Sequence, residues 1–201
     1  LRALVGLTAR EKAGWYALTV ERRRFLLPAE TKTLAIEVSP RTFTHQHLRL
    51  PEKKTRLASK PAAKTAPDEI RGALNQETPL QRWSGVFLKP AKGRLSSRYG
   101  HTRTINDGMS WSWHKGLDIA AAEGQAVLAP NAGRVALTGR YPVQGGTVIL
   151  DHGQGLLSAF LHLSGFSVEV GQVVEKGQPI ATVGGGGFST GSHLHWGVYI
   201  H

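Results

Sequence analysis

The stretch Thr190-Gly-Ser-His193-Leu-His195-Trp-Gly-Val-Tyr-Ile200 decides how this chain is read. Its β-branched and aromatic residues fall in period-two alternation, the pattern of a strand. Residues i and i+2 of a strand share a face, so His193 and His195 point the same way. They sit beneath a glycine-rich loop, Gly184-Gly-Gly-Gly-Phe-Ser-Thr-Gly191. Two neighbouring imidazoles in that setting suit a metal ligand beside a general base, or two metal ligands. Either arrangement asks for further partners.

Working upstream, His114-Lys-Gly-Leu-Asp118 supplies an imidazole and a carboxylate ahead of an apolar run. If Gly116 to Ala120 is extended, the four-residue spacing again puts both side chains on one face. Nitrogen and carboxylate-oxygen donors suit zinc, and two histidines with one carboxylate leave a coordination position for water. A further histidine, His162 in Ala-Phe-Leu-His162-Leu, completes the set.

Taken in order, His-x-x-x-Asp, aromatic-x-His-Leu and Gly-x-Ser-Thr-Gly-x-His-Leu-His resemble the motifs of the lysostaphin/LytM-type zinc peptidases, which cut bacterial cell-wall peptides. The resemblance runs over roughly residues 84 to 201, and its specificity comes from three separated motifs agreeing. It implies a zinc-dependent endopeptidase acting on peptidoglycan stem peptides or cross-bridges, in the periplasm or outside the cell. Carried across residue by residue, it makes His114, Asp118 and His195 the ligands of one zinc ion, and His162 and His193 the catalytic pair. Zinc lowers the pKa of a bound water to about 7, and the two histidines would move protons and stabilise the oxyanion. The chain departs from the common pattern at Phe160, where many members have tyrosine, at Ser192 in place of proline, and at Ile105, where a tyrosine is frequent. His152 reads as turn support and His101 as a surface side chain.

The remaining chain reads as all-β. Residues 84–201 break into short strand-like runs divided by glycine turns: Ala126 to Ala129, Gly133 to Leu137, Gly146 to Leu150, Leu156 to Leu161, Val173, and Pro179 to Val183. Such spacing predicts a compact antiparallel domain with a groove across one sheet. Residues 1–50 read as a small, incomplete immunoglobulin-like sandwich with strands at Ala3 to Leu7, Gly14 to Val20, Arg23 to Leu27, Thr33 to Val38 and His45 to Leu50. Wall peptidases of the resembled family often carry such a module ahead of the catalytic domain. Within it, His45-Gln-His47 also has the two-residue histidine spacing. No carboxylate accompanies it and Arg41 and Arg49 flank it, so it reads as a solvated strand face. Residues 51–83 read as a linker, charged and alanine-rich to about residue 66, then a short helix opened by Pro67-Asp-Glu and ended by Pro79.

The formal net charge of +11 is unevenly spread. Residues 1–83 carry sixteen basic and eight acidic side chains, against nine and six in residues 84–201. A basic leading half attracts any polyanion, the carboxylate-rich cell wall included. No base-stacking or groove-reading motif accompanies it, so we expect no nucleic-acid partner. There is no cysteine, hence neither disulfide nor thiolate site. No apolar run approaches the ~20 residues of a membrane helix. The chain starts at Leu1 without methionine, and we expect an excerpt of a longer, envelope-located product, with room for a membrane anchor upstream. Oligomeric state is not legible.

Two rival readings remain. A catalytically silent wall-binding or regulatory domain that activates another cell-wall hydrolase would share this fold, though none of the five residues is missing. The segments Val170-Gly-Gln-Val and Glu175-Lys-Gly-Gln-Pro179 also resemble lipoyl and biotinyl carrier barrels, but Glu175-Lys176-Gly does not match their modified-lysine motif.

Overall fold

The computed structural model describes residues 4–25, 27–59, 67–106, 108–111 and 113–200. The chain forms two units, Leu7–Phe43 on the one hand and Leu1–Gly6 with Thr44–His201 on the other.

In the smaller unit, β1 (Gly14–Arg24) and β2 (Leu27–Val38) form one antiparallel hairpin. Directly opposed residues share a face, so Tyr16, Leu18 and Val20 line up with Ile36, Leu34 and Lys32. This hairpin stands where a sandwich is expected, and Leu4 to Thr8 belong to no strand. Ala3 and Leu26 lie outside the described residues. The expected strand at Arg23 to Leu27 is instead the end of the hairpin. Pro28, read as a chain break, is accommodated by an irregularity in the pairing between Arg22 and Arg24, where no ladder hydrogen bond is demanded of it.

The larger unit begins with β3 (His45–Leu48), followed by α1 (Glu52–Ser59) and α2 (Asp68–Leu74). Helix α1 forms within a stretch whose composition reads as linker. Its first turn closes on Pro51, whose carbonyl accepts from the Lys54 and Thr55 amides, and Arg56 pairs with Glu52 one turn away at 2.5 Å. Residues 60–66 lie outside the described residues. Helix α2 falls where Pro67 and the acidic pair Asp68 and Glu69 predict one.

The strands that follow are β4 (Arg94–Ser97), β5 (Thr102–Ile105), β6 (Met109–Trp111), β7 (Leu117–Ala120), β8 (Ala126–Leu128), β9 (Gly133–Tyr141), β10 (Gly145–Gly153), β11 (Leu156–Phe166), β12 (Val173–Val174), β13 (Pro179–Val183) and β14 (His193–Ile200). The main sheet runs β12-β9-β10-β11-β14-β7-β4, with β13 joining β11 to β8. A second sheet, β3-β5-β6, contains the parallel pair β3 and β5.

Strand alternation sorts the main sheet into two faces. Ile119, Val148, Leu150, Phe160 and Leu194 point into the principal core. The opposite face carries Ile149, Leu157 and Ala159, which Ile70 and Ala73 of α2 cover. Beyond α2 that second face is open and forms a groove. The all-β class and the groove across one sheet are therefore as the glycine-divided runs predict. Among the described residues, no helix is long and apolar enough to cross a membrane.

Candidate metal centre

Register across four strands assembles the site. Ser97 of β4 lies opposite Asp118 of β7, Asp118 opposite His195 of β14, and His195 opposite Leu161 of β11. His114 enters just ahead of β7, held by its amide to the His101 carbonyl at 2.9 Å. Its Nδ1 donates to the Arg98 carbonyl at 2.8 Å, which turns Nε2 toward Asp118. His114 Nε2 lies 2.9 Å from Asp118 Oδ1 and 3.0 Å from His195 Nδ1, and His195 Nδ1 lies 2.8 Å from the same oxygen. All three residues are buried.

Three potential ligand atoms thus converge, His114 Nε2, Asp118 Oδ1 and His195 Nδ1, all within 4.8 Å of one another. That donor set suits a cation, and two imidazole nitrogens with one carboxylate oxygen is a zinc-type set. The close approach has a backbone requirement. A Cβ on Gly116 would stand 2.8 Å from His195 Nε2 and 2.5 Å from the Trp196 carbonyl oxygen, so only glycine leaves room for the ring.

His162 reaches the same groove by a different device. Pairing of β10 with β11 skips from Gly146 opposite Leu163 to Val148 opposite Phe160. His162 sits in this bulge with φ +65°, a conformation unusual for a side-chain-bearing residue. The bulge breaks the alternation, so Leu161 and His162 both line the groove. Its Nδ1 donates to the Gly186 carbonyl at 2.9 Å, and that of His193 donates to the Gly191 carbonyl at 2.9 Å. Both rings therefore carry the Nε2 lone pair. The ring centres are 4.8 Å apart, and His193 Nε2 lies 3.7 Å from Asp118 Oδ1. A Cβ on Gly184 would come within 2.7 Å of the His162 carbonyl oxygen, so the glycine-rich loop can pass this close only as glycine there.

Burial and charge set the protonation states. Burial, then the charges of His193 and His195, push the His162 imidazole down to about 3, despite the hydrogen bond to Gly186 and the nearby Asp118. Burial likewise lowers His195, with its hydrogen bond to Asp118 opposing. Burial alone would raise Asp118, but hydrogen bonds and charge from His114 and His195 outweigh it and hold the carboxyl well below the usual range. Burial thus favours the neutral form of the His162 and His195 rings beside an ionised Asp118.

All five sequence-predicted residues, His114, Asp118, His162, His193 and His195, line one groove of about 690 Å³. His152 is elsewhere, fully buried, bonded to the Ala132 carbonyl and Ser158 Oγ. His101, expected at the surface, is partly buried within 3.3 Å of Ser97 Oγ. Ile105 is completely buried, so the position where a tyrosine is frequent does not face the groove. His45 and His47 stay outside it, and His45 bonds to Thr102 and Thr104 across the parallel pair. Sequence reasoning missed Gln46, Ser97 and Lys54 and gave Arg103 no role. Lys54 Nζ donates to the Gly185 and Ser189 carbonyls and to Ser189 Oγ at 2.8–3.0 Å. No local motif marks such residues, because their role depends on pairings between segments about 50 to 130 residues apart.

Comparison with known proteins places these features among relatives. Peptidase family M23 matches residues 112–201. A crystal structure of a peptidase M23 from Pseudomonas aeruginosa resembles 98% of this chain and 72% of its own, at 30% identity and a TM-score of 0.70. Peptidoglycan DD-endopeptidase ShyA of Vibrio cholerae is 33% identical over 121 residues, covering 60% of this chain and 28% of that protein. Murein hydrolase activator NlpD of Escherichia coli is 30% identical over 185 residues, covering 85% of this chain and 45% of that protein. The chain spans less than half the length of either curated relative.

Proposed function

Because this chain belongs to peptidase family M23, we propose that it is a zinc-dependent endopeptidase that hydrolyses peptide bonds in bacterial peptidoglycan, in the cell envelope. The observation that carries this reading is the convergence of His114 Nε2, Asp118 Oδ1 and His195 Nδ1 beside two further imidazoles whose Nε2 atoms are free to exchange protons. Similarity to a peptidoglycan DD-endopeptidase supports the substrate class.

His114, Asp118 and His195 would hold the zinc ion. When bound, it polarises the scissile carbonyl and acidifies an attacking water. The proteins' own groups carry the protons. One of His162 and His193 accepts a proton from the water at Nε2 as oxygen bonds to the carbonyl carbon. A protonated Nε2 then donates to the developing oxyanion and returns the proton to the amine as the C–N bond breaks. The hydrogen bonds to Gly186 and Gly191 keep both rings in the orientation this requires.

A second reading, a regulatory domain that activates another wall hydrolase, is supported by the similarity to an activator over most of the chain. The complete set of five residues favours hydrolysis. Incubating purified peptidoglycan with wild type, His193→Ala and Asp118→Ala, and reading new amino termini by mass spectrometry, separates the two. Wild type should release peptides, with each variant reduced at least ~100-fold, as loss of a general acid–base group or metal ligand implies. Folded, zinc-filled wild type that releases nothing alone but accelerates a second hydrolase would establish the regulatory reading instead.

A further inference from the structure

Asp118 divides its carboxylate. Oδ1 faces His114 and His195, while Oδ2 accepts a 2.6 Å hydrogen bond from Arg103 Nη2. The guanidinium is itself held in place. Nη2 also donates to Ser97 Oγ at 2.9 Å, and Nε donates to Gln46 Oε1 at 3.3 Å. Ser97 Oγ donates to the same Gln46 oxygen at 2.9 Å. The Arg103 side chain is 16% exposed and that of Asp118 9%, so both charges are largely withdrawn from water.

Burying such a pair costs desolvation that apolar replacements would avoid, so stability is a poor reason for it to exist here. Geometry offers a better one. With Oδ2 engaged, only Oδ1 is presented to the point where the two imidazoles converge. Lysine could neutralise the carboxylate but could not bond Asp118 and Gln46 from one rigid plane. The register of the parallel β3–β5 pair, Gln46 opposite Arg103, sets this fork beside Asp118. Gln46 lies well ahead of the region that matches the peptidase family.

We infer that Arg103 is a positioning residue for the metal centre: it holds Asp118 as a one-oxygen ligand, and Gln46 on β3 holds Arg103. A strand read as part of a separate leading module therefore supports the metal site. The inference deepens the zinc reading above and rests on it.

Zinc affinity tests it without reference to activity. Zinc is titrated against a competing chromophoric chelator in wild type, Arg103→Met, Arg103→Lys and Gln46→Ala, with apo-protein circular dichroism and Tm as folding controls. Arg103→Met should raise the zinc Kd about 10–100-fold, as loss of a hydrogen bond to a ligating carboxylate does. Arg103→Lys should recover only part of this, and Gln46→Ala should weaken binding roughly 2- to 10-fold, less than Arg103→Met because the 3.3 Å bond it removes is long and one step away from the carboxylate. The visible spectrum of cobalt bound in place of zinc should change in Arg103→Met. Should that variant not fold, Arg103→Lys and Gln46→Ala carry the test. Tight binding by wild type with equal or tighter binding by the folded variants would overturn this inference alone. Wild type that binds no zinc would overturn both it and the function proposed above.

Discussion

His162 shows how much one residue can demand of its surroundings. A left-handed backbone at a non-glycine position costs of order 1–3 kcal/mol and persists only where neighbours over-determine it. Here the bulge, the Gly186 carbonyl and the close passage of Gly184 do so. Burial adds a second cost that appears on acidification. The folded chain holds this imidazole near 3, against 6.5 for an ordinary one. Between those values the unfolded chain takes up a proton that the folded chain refuses, so stability is full above 6.5 and falls as pH drops toward 3. One such site contributes a slope of about 1.4 kcal/mol per pH unit. His162→Gln should therefore flatten the fall of Tm between pH 6.5 and 4 in metal-free protein. It should not abolish that fall, because His152 and His195 are lowered in the same direction. Identical slopes in variant and wild type would clear His162 of this role. The histidine itself was legible from its motif; its bulge was not, since a register shift is a property of two strands and Leu161-His162-Leu163 alone reads as regular alternation.

At the level of elements, α1 acts as a clamp. Lys54 ties it to the glycine-rich loop, reaching both Gly185 and Ser189. The same loop offers the Gly186 and Gly191 carbonyls that orient His162 and His193. Releasing it should blur both rings at once. Lys54→Met removes charge-assisted hydrogen bonds worth about 1.5–3 kcal/mol in favourable cases, and roughly half that here because the ammonium is only partly buried. We expect kcat on a peptidoglycan peptide to fall several-fold with KM less affected, and Tm to fall about 2–4 °C for each kcal/mol lost. Unchanged kcat with lowered Tm would make Lys54 purely structural. Composition hid this helix: Pro-Glu-Lys-Lys-Thr-Arg lacks an apolar stripe, because α1 is held through a lysine rather than through a greasy face. The hairpin of β1 and β2 was legible only in part, for the opposite reason. Its strand-like runs were visible, but Pro28 suggested a boundary that the pairing passes over.

Over the whole molecule, the peptidase unit was the most readable part. Short apolar runs between glycine turns can only bury themselves by pairing, and the principal core of Val148, Leu150, Phe160 and Leu194 is what that pairing makes. Strand periodicity made the shared face of His193 and His195 readable, and the three family motifs made His114, Asp118 and His162 readable; the register of β4, β7, β14 and β11, which brings Asp118 and His195 together, is a property of paired strands. What lay beyond reach was how far the unit extends. The β3–β5 pair and α1 bring residues ahead of position 60 to the groove, so the candidate metal centre draws on chain that reads as module and linker. The proposed function turns on metal dependence. The most direct measurement strips the protein with a chelator and titrates zinc back while following both bound metal and cleavage of purified peptidoglycan. Cleavage should vanish on stripping and return in proportion to bound zinc, saturating at one ion per chain. Stripped protein that still cleaves, or folded zinc-filled protein that leaves the wall intact, would contradict the account.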